Sequence, residues 1–298
     1  PTYNRKAILK RAIEAYAQQT RPDAISEVLI IDDGSTDGTG ELVAQIGSES
    51  PFPVRHLYQE NRGLAAARNH GIREARGDLI LFGDDDVIPA PNLLEEHLAW
   101  HEKHPEPHVG VLGYLPWSPE VHPTPLMRYI IMEGPQFGYG HMTAGKSVSF
   151  MGCYFNNTSL KLDFLRQNGN FNENFRTWGC EDWDFGYRLM QKGLVMLYNP
   201  RAVGYHCKRV SFAEACQISK KIQPSLKIFE ATEAGKAYFA AEKQRKSSRK
   251  YRAQLRLARW LVPILMPLKP LLDSPIPLPK VLYRAFFAYH NHAANPSR

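Results

Sequence analysis
Short continuous apolar runs take turns with longer stretches whose apolar residues recur at helical spacing. From Arg5 to Gln19 the apolar positions Ala7, Ile8, Ala12, Ile13, Ala15 and Tyr16 predict a helix with one buried face. Val28-Leu29-Ile30-Ile31 is uninterrupted, the pattern of a parallel strand covered on both sides. The glycines and Ser/Thr/Asp caps of Asp32-Asp33-Gly34-Ser35-Thr36-Asp37-Gly38-Thr39 then turn the chain into a helix over Thr39 to Ile46. Val54 to Tyr58 reads as a strand and Leu64 to Arg76 as a helix with small residues on one side. Leu79-Ile80-Leu81-Phe82 is a further buried strand, and Pro89 and Pro91 set the start of a helix over Asn92 to His104. Strand and helix in alternation predict a doubly wound α/β sheet, parallel at least in its first half, with ligands beyond the carboxyl ends of its strands.

The second half is less regular. Strands are expected at Val109–Leu115, Ser149–Asn157 and Leu194–Tyr198, and helices at Lys161–Gln167 and Glu181–Lys192. Residues 116–147 are rich in Pro and Gly and read as a mobile loop with a short helix near Leu126–Met132. From Ser211 the chain reads as helical. The expected organisation is therefore an α/β domain over 1–210, in two halves (1–110 and 111–210), with a helical extension over 211–298. Pro1-Thr2-Tyr3-Asn4-Arg5 reads like the end of a strand entering a helix, so a natural N-terminal strand is expected to be missing ahead of it.

Candidate chemistry begins after the Leu79–Phe82 run, where Gly83 is followed by Asp84-Asp85-Asp86. Residues two apart on an extended chain share a face, so Asp84 and Asp86 point the same way. Like charges this close repel, and a divalent cation removes the repulsion. Oxygen ligation of this kind suits Mg²⁺ or Mn²⁺. An acidic loop in water is the competing reading of the triplet taken alone. A second cluster, Glu181-Asp182-Trp183-Asp184, opens a helix, where acids are favoured by the dipole in any case. Trp178 and Trp183 beside it are expected to dry the site and raise a carboxyl pKa towards that of a useful base. His206 follows a strand ending Val203-Gly204-Tyr205 and matters only if it reaches the same crevice.

The net charge of +7 favours anionic partners, but much of the excess lies in one late segment that includes Lys243, Arg245, Lys246, Arg249, Lys250, Arg252, Arg256 and Arg259. Trp260, Leu261, Ile264, Leu265, Tyr283, Phe286, Phe287 and Tyr289 follow, so residues 243–290 suit either a membrane surface or packing on the protein itself. No aromatic stacking platform interleaves with the charges, which argues against nucleic acid. The longest apolar run, Trp260 to Leu268, is broken by Pro263 and Pro267 and is too short to span a bilayer. Cys153, Cys180, Cys207 and Cys216 have no metal spacing and are expected to be reduced and buried, which suits a cytoplasmic protein, peripheral to the membrane if the tail binds one.

Pro1-Thr2-Tyr3-Asn4-Arg5, Asp32–Thr39, Asn61-Arg62-Gly63-Leu64-Ala65-Ala66-Ala67-Arg68-Asn69, Gly77-Asp78, Asp84–Asp86 and Glu181-Asp182 fall in an order that resembles family 2 glycosyltransferases of the GT-A fold, over roughly residues 1–210. Trp178–Asp182 also looks like the matching segment of β-1,4-galactosyltransferases and bacterial polysaccharide polymerases. The resemblance implies that Thr2, Tyr3 and Asp33 hold the nucleotide base and that Asn61 and Arg68 close over the nucleoside. It places Asp84 and Asp85 near ribose and donor sugar, Asp86 and His206 on the metal, and Asp182 as catalytic base with Glu181 beside it. Lys208 and Arg209 stand where a diphosphate or plain solvent would meet them. The implied reaction is an inverting transfer from a nucleoside-diphosphate sugar, UDP being the commonest in the family, to a hydroxyl of a glycan or lipid-linked acceptor. Gly83 departs from the pattern, since many relatives carry a larger apolar residue there. The Gln-x-x-Arg-Trp signature of processive membrane synthases is missing.

Two other readings compete. Asp84-Asp85-Asp86-Val87-Ile88 also fits a haloacid dehalogenase-type phosphatase, which leaves Tyr3 and the Asp32 cluster without roles. A non-catalytic sugar-nucleotide or glycan binder on the same fold is the other, and intact Asp86 and Asp182 argue against it.

Overall fold
The computed structural model describes residues 1–134 and 136–294. The last four residues of the expected extension therefore lie outside the described residues. The chain forms two compact units, one of residues 1–116 and 142–207, the other of residues 117–141 and those from 208 on.

The first unit runs α1 (Lys6–Ala17), β1 (Val28–Asp32), α2 (Thr39–Glu49), β2 (Val54–Tyr58), α3 (Leu64–Glu74), β3 (Leu79–Gly83), β4 (Val87–Pro89), α4 (Leu93–Lys103) and β5 (Val109–Tyr114). β1 and β2 pair in parallel from Val28 opposite Val54 to Asp32 opposite Tyr58, as the uninterrupted apolar run predicts. Thr2 extends this sheet: its N–H donates to Ile31 O at 2.8 Å and its carbonyl accepts from the Asp33 N–H at 2.9 Å. Leu9, Ile13, Ile30 and Val43 form the core between α1, α2 and β1.

After the excursion through 117–141 the unit resumes with β6 (Asn157–Lys161), α6 (Leu162–Asn168), α7 (Glu181–Gln191) and β7 (Val195–His206). Its five-stranded sheet has the order β3-β6-β5-β7-β4. β5 and β7 are parallel, while β6 runs antiparallel to both β3 and β5, and β4 antiparallel to β7. The architecture is thus mixed α/β, with parallel pairing at its start and mixed pairing later.

Two local expectations differ from the structure. Ser149–Asn157 reads as a strand, yet Phe150–Gly152 is a turn of 3₁₀ helix and the strand starts only at Asn157. The segment is committed to α7 instead: a Cβ on Gly186 would stand 2.6 Å from Cys153 Cβ, so the Cys153 side chain packs directly on the α7 backbone. β7 is longer than the expected Leu194–Tyr198, because a register shift against β5 absorbs Pro200. Tyr198 pairs with Leu112, and the next pair is Val203 with Tyr114. A proline is tolerated at such an irregularity, where no ladder hydrogen bond is asked of it.

The second unit holds α5 (Pro125–Met132), α8 (Phe212–Lys221), α9 (Gln223–Ala231), α10 (Glu233–Ser247), α11 (Arg249–Leu265) and α12 (Lys280–Ala294). The short helix expected near Leu126–Met132 is α5, and it is packed rather than carried on a mobile loop. Leu126, Met127, Ile130 and Ile131 of α5 are buried, and Tyr129 stacks on Tyr283 and Phe287 of α12 with ring centroids 5.2 and 6.1 Å apart. Ser211 and Glu214 form a capping box that starts α8.

Candidate active site
The carboxylates of the first unit converge through an aromatic floor. Phe82 of β3, Phe155 and Phe171 meet edge to face with centroids 5.1–6.1 Å apart, and Phe185 of α7 lies 4.2 Å from Phe171. Such edge contacts add about 0.5–1.5 kcal/mol each beyond area burial. The cluster ties the strand that ends in Asp84–Asp86 to the helix that begins with Glu181. Arg68 of α3 lies over the Phe171 ring at 5.4 Å.

Arg68 is the hub. Its side chain is only 2% exposed. Nη1 donates to Asp182 Oδ1 at 2.6 Å and lies 3.6 Å from Glu181 Oε1, while Nη2 donates to Asp84 Oδ1 at 3.3 Å. Burial works against its charge, but Asp182, Asp84 and Glu181 outweigh that and hold its pKa up. The second oxygen of Asp182 accepts from the Phe155 N–H at 3.1 Å, so both oxygens are oriented. Burial raises the pKa of Asp182 against the pull of Arg68 and that N–H. Burial and the neighbouring Asp182 raise Glu181. Of the two tryptophans expected to dry the site, Trp178 is 45% exposed and Trp183 is half-buried.

α7 is entered through an unusual turn. Gly179 has φ +108° and Cys180 has φ +69°, a left-handed conformation rare outside glycine. The turn delivers Glu181 and Asp182 into the first turn of the helix, and the Gly179 N–H donates back to Glu181.

The Asp85–Asp86 side is built differently. Thr2 Oγ1 donates to Asp85 Oδ2 at 2.8 Å. Arg5 Nη1 stands 3.0 Å from both Asp85 Oδ1 and Asp86 Oδ2. Arg5 carries no role in the sequence reading. A signal existed: it is the N-cap residue of α1, where a cation faces the positive helix end and calls for an acidic partner. His206 reaches this side by strand register. It sits opposite Val87 in the β4–β7 pair, and its Nε2 lies 3.7 Å from Asp86 Oδ1. The Cys207 N–H donates to Asp86 O at 3.0 Å and fixes the corner.

The side that the resemblance assigns to the nucleoside is an ordered turn. Asp33 Oδ1 accepts from Gln59 Nε2 and the Arg62 N–H, and Oδ2 from the Gly63 N–H, at 2.7–2.9 Å. Asp33 therefore anchors the segment that carries Asn61, itself exposed. Gly63 has φ +91°, and a Cβ there would stand 2.6 Å from Arg176 O. Asn4 locks the facing turn: its N–H donates to Ser35 Oγ and its Oδ1 accepts from the Thr36 N–H, both at 2.8 Å. Tyr3 beside it is 50% exposed, its ring open for stacking. Gly83 has a steric reason here, because Tyr16 Oη lies 3.0 Å from where its Cβ would be. Lys208 and Arg209 belong to the second unit.

Asp86 and His206 bring one carboxylate and one imidazole within 3.7 Å of each other, a donor set suited to Mn²⁺ or Mg²⁺. Arg5 already brings positive charge to that carboxylate. Among the described residues no three His, Cys, Asp or Glu side chains are grouped to hold a metal. Further ligands would have to come from substrate oxygens and water, as is usual for Mg²⁺.

This mixed α/β unit has the GT-A fold of glycosyltransferases. A mannosyltransferase from Pyrobaculum calidifontis, solved with GDP-mannose and Mn²⁺, superposes with a TM-score of 0.57 over all of this chain and 74% of its own, at 20% identity. S. aureus TarS, solved with UDP, gives 0.57 over all of this chain and 90% of its own, at 16% identity. Residues 1–156 match the glycosyl transferase family 2 model, and residues 146–209 match the model described as the N-terminal domain of galactosyltransferase. The chain belongs to glycosyl transferase family 2. It is 34% identical over 229 residues to validoxylamine A glucosyltransferase of Streptomyces hygroscopicus subsp. limoneus, covering 68% of this chain and 49% of that protein. The chain spans about half the length of the curated relatives it matches.

Proposed function
We propose that the chain is an inverting, metal-dependent glycosyltransferase that moves a sugar from a nucleoside-diphosphate donor, UDP-linked in our reading, to an acceptor hydroxyl in the synthesis of a bacterial surface glycan or polysaccharide. The observation that carries this is Arg68, which binds Asp84 after β3 and Asp182 at the head of α7 with one guanidinium. The relatives' bound GDP-mannose with Mn²⁺ and UDP support the donor class.

In this reading residues 1–110 bind the donor, with Tyr3 stacking on the base, Thr2, Asp33 and Asn61 shaping its pocket, and Asp84 and Asp85 near ribose and sugar. Asp86 and His206 would hold Mn²⁺ or Mg²⁺, which supplies charge neutralisation for the departing diphosphate. Asp182 accepts the acceptor hydroxyl proton as that oxygen forms its bond to the anomeric carbon. The bond from that carbon to the diphosphate oxygen breaks with both electrons, and the nucleoside diphosphate leaves. A base whose pKa is lifted towards neutrality is better matched to this task than an ordinary carboxylate. Glu181 orients donor or acceptor. No second carboxylate serves as nucleophile, unlike the retaining glycosidases. Residues 111–210 form the acceptor side, and the basic, apolar segment 243–290 brings the enzyme to a membrane surface where lipid-linked acceptors reside.

A screen of nucleotide sugars for release of free nucleoside diphosphate, with and without Mn²⁺, tests this. Release with at least one donor that stops on chelation is expected. No release from any donor, together with no calorimetric binding of UDP or GDP, would overturn it.

A further inference from the structure
Between Glu242 and Asp273 the chain carries nine Lys and Arg and no acid. α11 lies inside this stretch and has two faces. Ala258 and Val262 are buried, at 4% and 0% exposure. Leu257, Trp260 and Ile264 are exposed, at 53%, 68% and 61%. At about 100° per residue those three fall on one strip about 60° wide. Arg249, Arg252 and Arg256, all exposed, fall within roughly the next 80° of the same outward arc. Met266 and Leu268 continue the exposed apolar residues beyond the helix end.

We infer that this face of α11 is the surface on which the protein lies on an anionic bilayer, with Leu257, Trp260 and Ile264 in the headgroup boundary and the three arginines on lipid phosphates. The inference deepens the membrane part of the reading above and rests on that reading only for the acceptor's location. Three points favour this occupant. An apolar strip beside an acid-free basic flank matches anionic headgroups above acyl chains. A second copy would set three arginines against three arginines, which repel. A nucleic acid would take the arginines and leave Leu257 and Ile264 in water. Among the described residues no helix is long and apolar enough to cross a membrane. α11 therefore lies in the interface plane.

Flotation of the full chain with phosphatidylcholine vesicles and with vesicles containing 30% phosphatidylglycerol tests the inference. Flotation with the anionic vesicles alone is expected. The triple variant Arg249→Gln/Arg252→Gln/Arg256→Gln should lose about a hundredfold in partition, at about fivefold per cation. Leu257→Ser/Ile264→Ser should lose at least about tenfold. Circular dichroism checks that both remain folded, which the exposure of all five positions favours. Wild type that stays in solution with anionic vesicles overturns the inference. So does undiminished flotation of either variant, or a strip that light scattering shows holding two copies together. Nucleoside diphosphate release measured without vesicles separates the two readings. Flotation lost with release intact removes the surface alone, and release absent with flotation intact removes the transferase alone.

Discussion
Arg68 and Asp182 stand 114 positions apart in the chain, yet Nη1 of the first donates to Oδ1 of the second at 2.6 Å. The contact lies over an aromatic floor and shares its guanidinium with Asp84 and Glu181. One buried cation thus holds three acids in a single geometry. Removing it leaves those acids facing each other without their shared cation.

Arg68→Ala should therefore lower Tm and cost about 3–5 kcal/mol, the scale of an orphaned buried charge. The sign of the kinetic effect follows from the charges. Without the guanidinium the Asp182 pKa climbs further, so the acid limb of the rate profile moves to higher pH. Arg68→Lys should recover part of the stability and shift the limb less. A profile for Arg68→Ala that keeps the wild-type acid limb would show that Arg68 does not tune Asp182.

Asp182→Asn keeps shape and removes the basic oxygen. Turnover should fall by about 10²–10⁴-fold while donor affinity, read by calorimetry, changes little. Turnover within a few fold of wild type would move the base elsewhere, with Glu181 the first candidate.

If Asp86 holds the metal as proposed, Arg5 competes with that ion for its carboxylate. Its guanidinium is 3.0 Å from Asp86 Oδ2, and its charge is opposed by burial but held by Asp85 and Asp86. Arg5→Ala should raise Mn²⁺ affinity in the absence of donor, whereas Asp86→Ala and His206→Ala should lower it, each read by paramagnetic resonance titration. Weaker Mn²⁺ binding in Arg5→Ala would mean that Arg5 organises the ligands rather than opposing the ion.

A buried network under the sheet predicts acid sensitivity. Asn157 Nδ2 donates to Ala202 O at 2.9 Å, so its Oδ1 faces His97 Nε2, also at 2.9 Å, and that nitrogen carries the proton. His97 Nδ1 then accepts from Ser159 Oγ, which in turn accepts from His101 Nε2, each at 2.8 Å. Both imidazoles are neutral. Burial pushes His97 down to about 4 and His101 to about 3, from 6.5. The unfolded chain binds these protons first as pH falls, so the stability is present above 6.5 and is lost progressively towards about 4. Tm should fall between pH 7 and pH 5, and less steeply in His101→Phe. Equal slopes would dissociate the network from acid stability. Ser159→Ala leaves both rings short of a partner and should cost about 1–3 kcal/mol.

Much of the first unit is legible in the chain because its signals are local. Val28–Ile31 and Leu79–Phe82 are apolar runs with carboxylates close behind, and both are strands. The convergence of Asp84 with Asp182 is foreshadowed only by the family pattern, since the phenylalanines that enforce it are scattered from 82 to 185. The hub role of Arg68 is hidden for a similar reason: in sequence it is one more residue after three alanines, and its partners lie 16 and 114 positions away. Pro200 disguises the reach of β7, because a bulge that hosts a proline leaves no periodic trace. The Pro and Gly content of 116–147 suggests a loop, while the aromatic partners that pack α5 come from beyond residue 280.

α5 and α12 are joined by more than ring stacking, since Lys280 Nζ also donates to Glu133 Oε1 at 2.6 Å. The chain enters α5 from one side of residue 116 and leaves it before residue 142, whereas α12 arrives from the far end of the sequence. Shortening the polypeptide anywhere ahead of Lys280 would therefore not trim an appendage. It would strip the cover from Tyr129 and bare an apolar helix in the middle of the gene, creating a sticky protein whose altered behaviour on vesicles would report the damage rather than the missing tail.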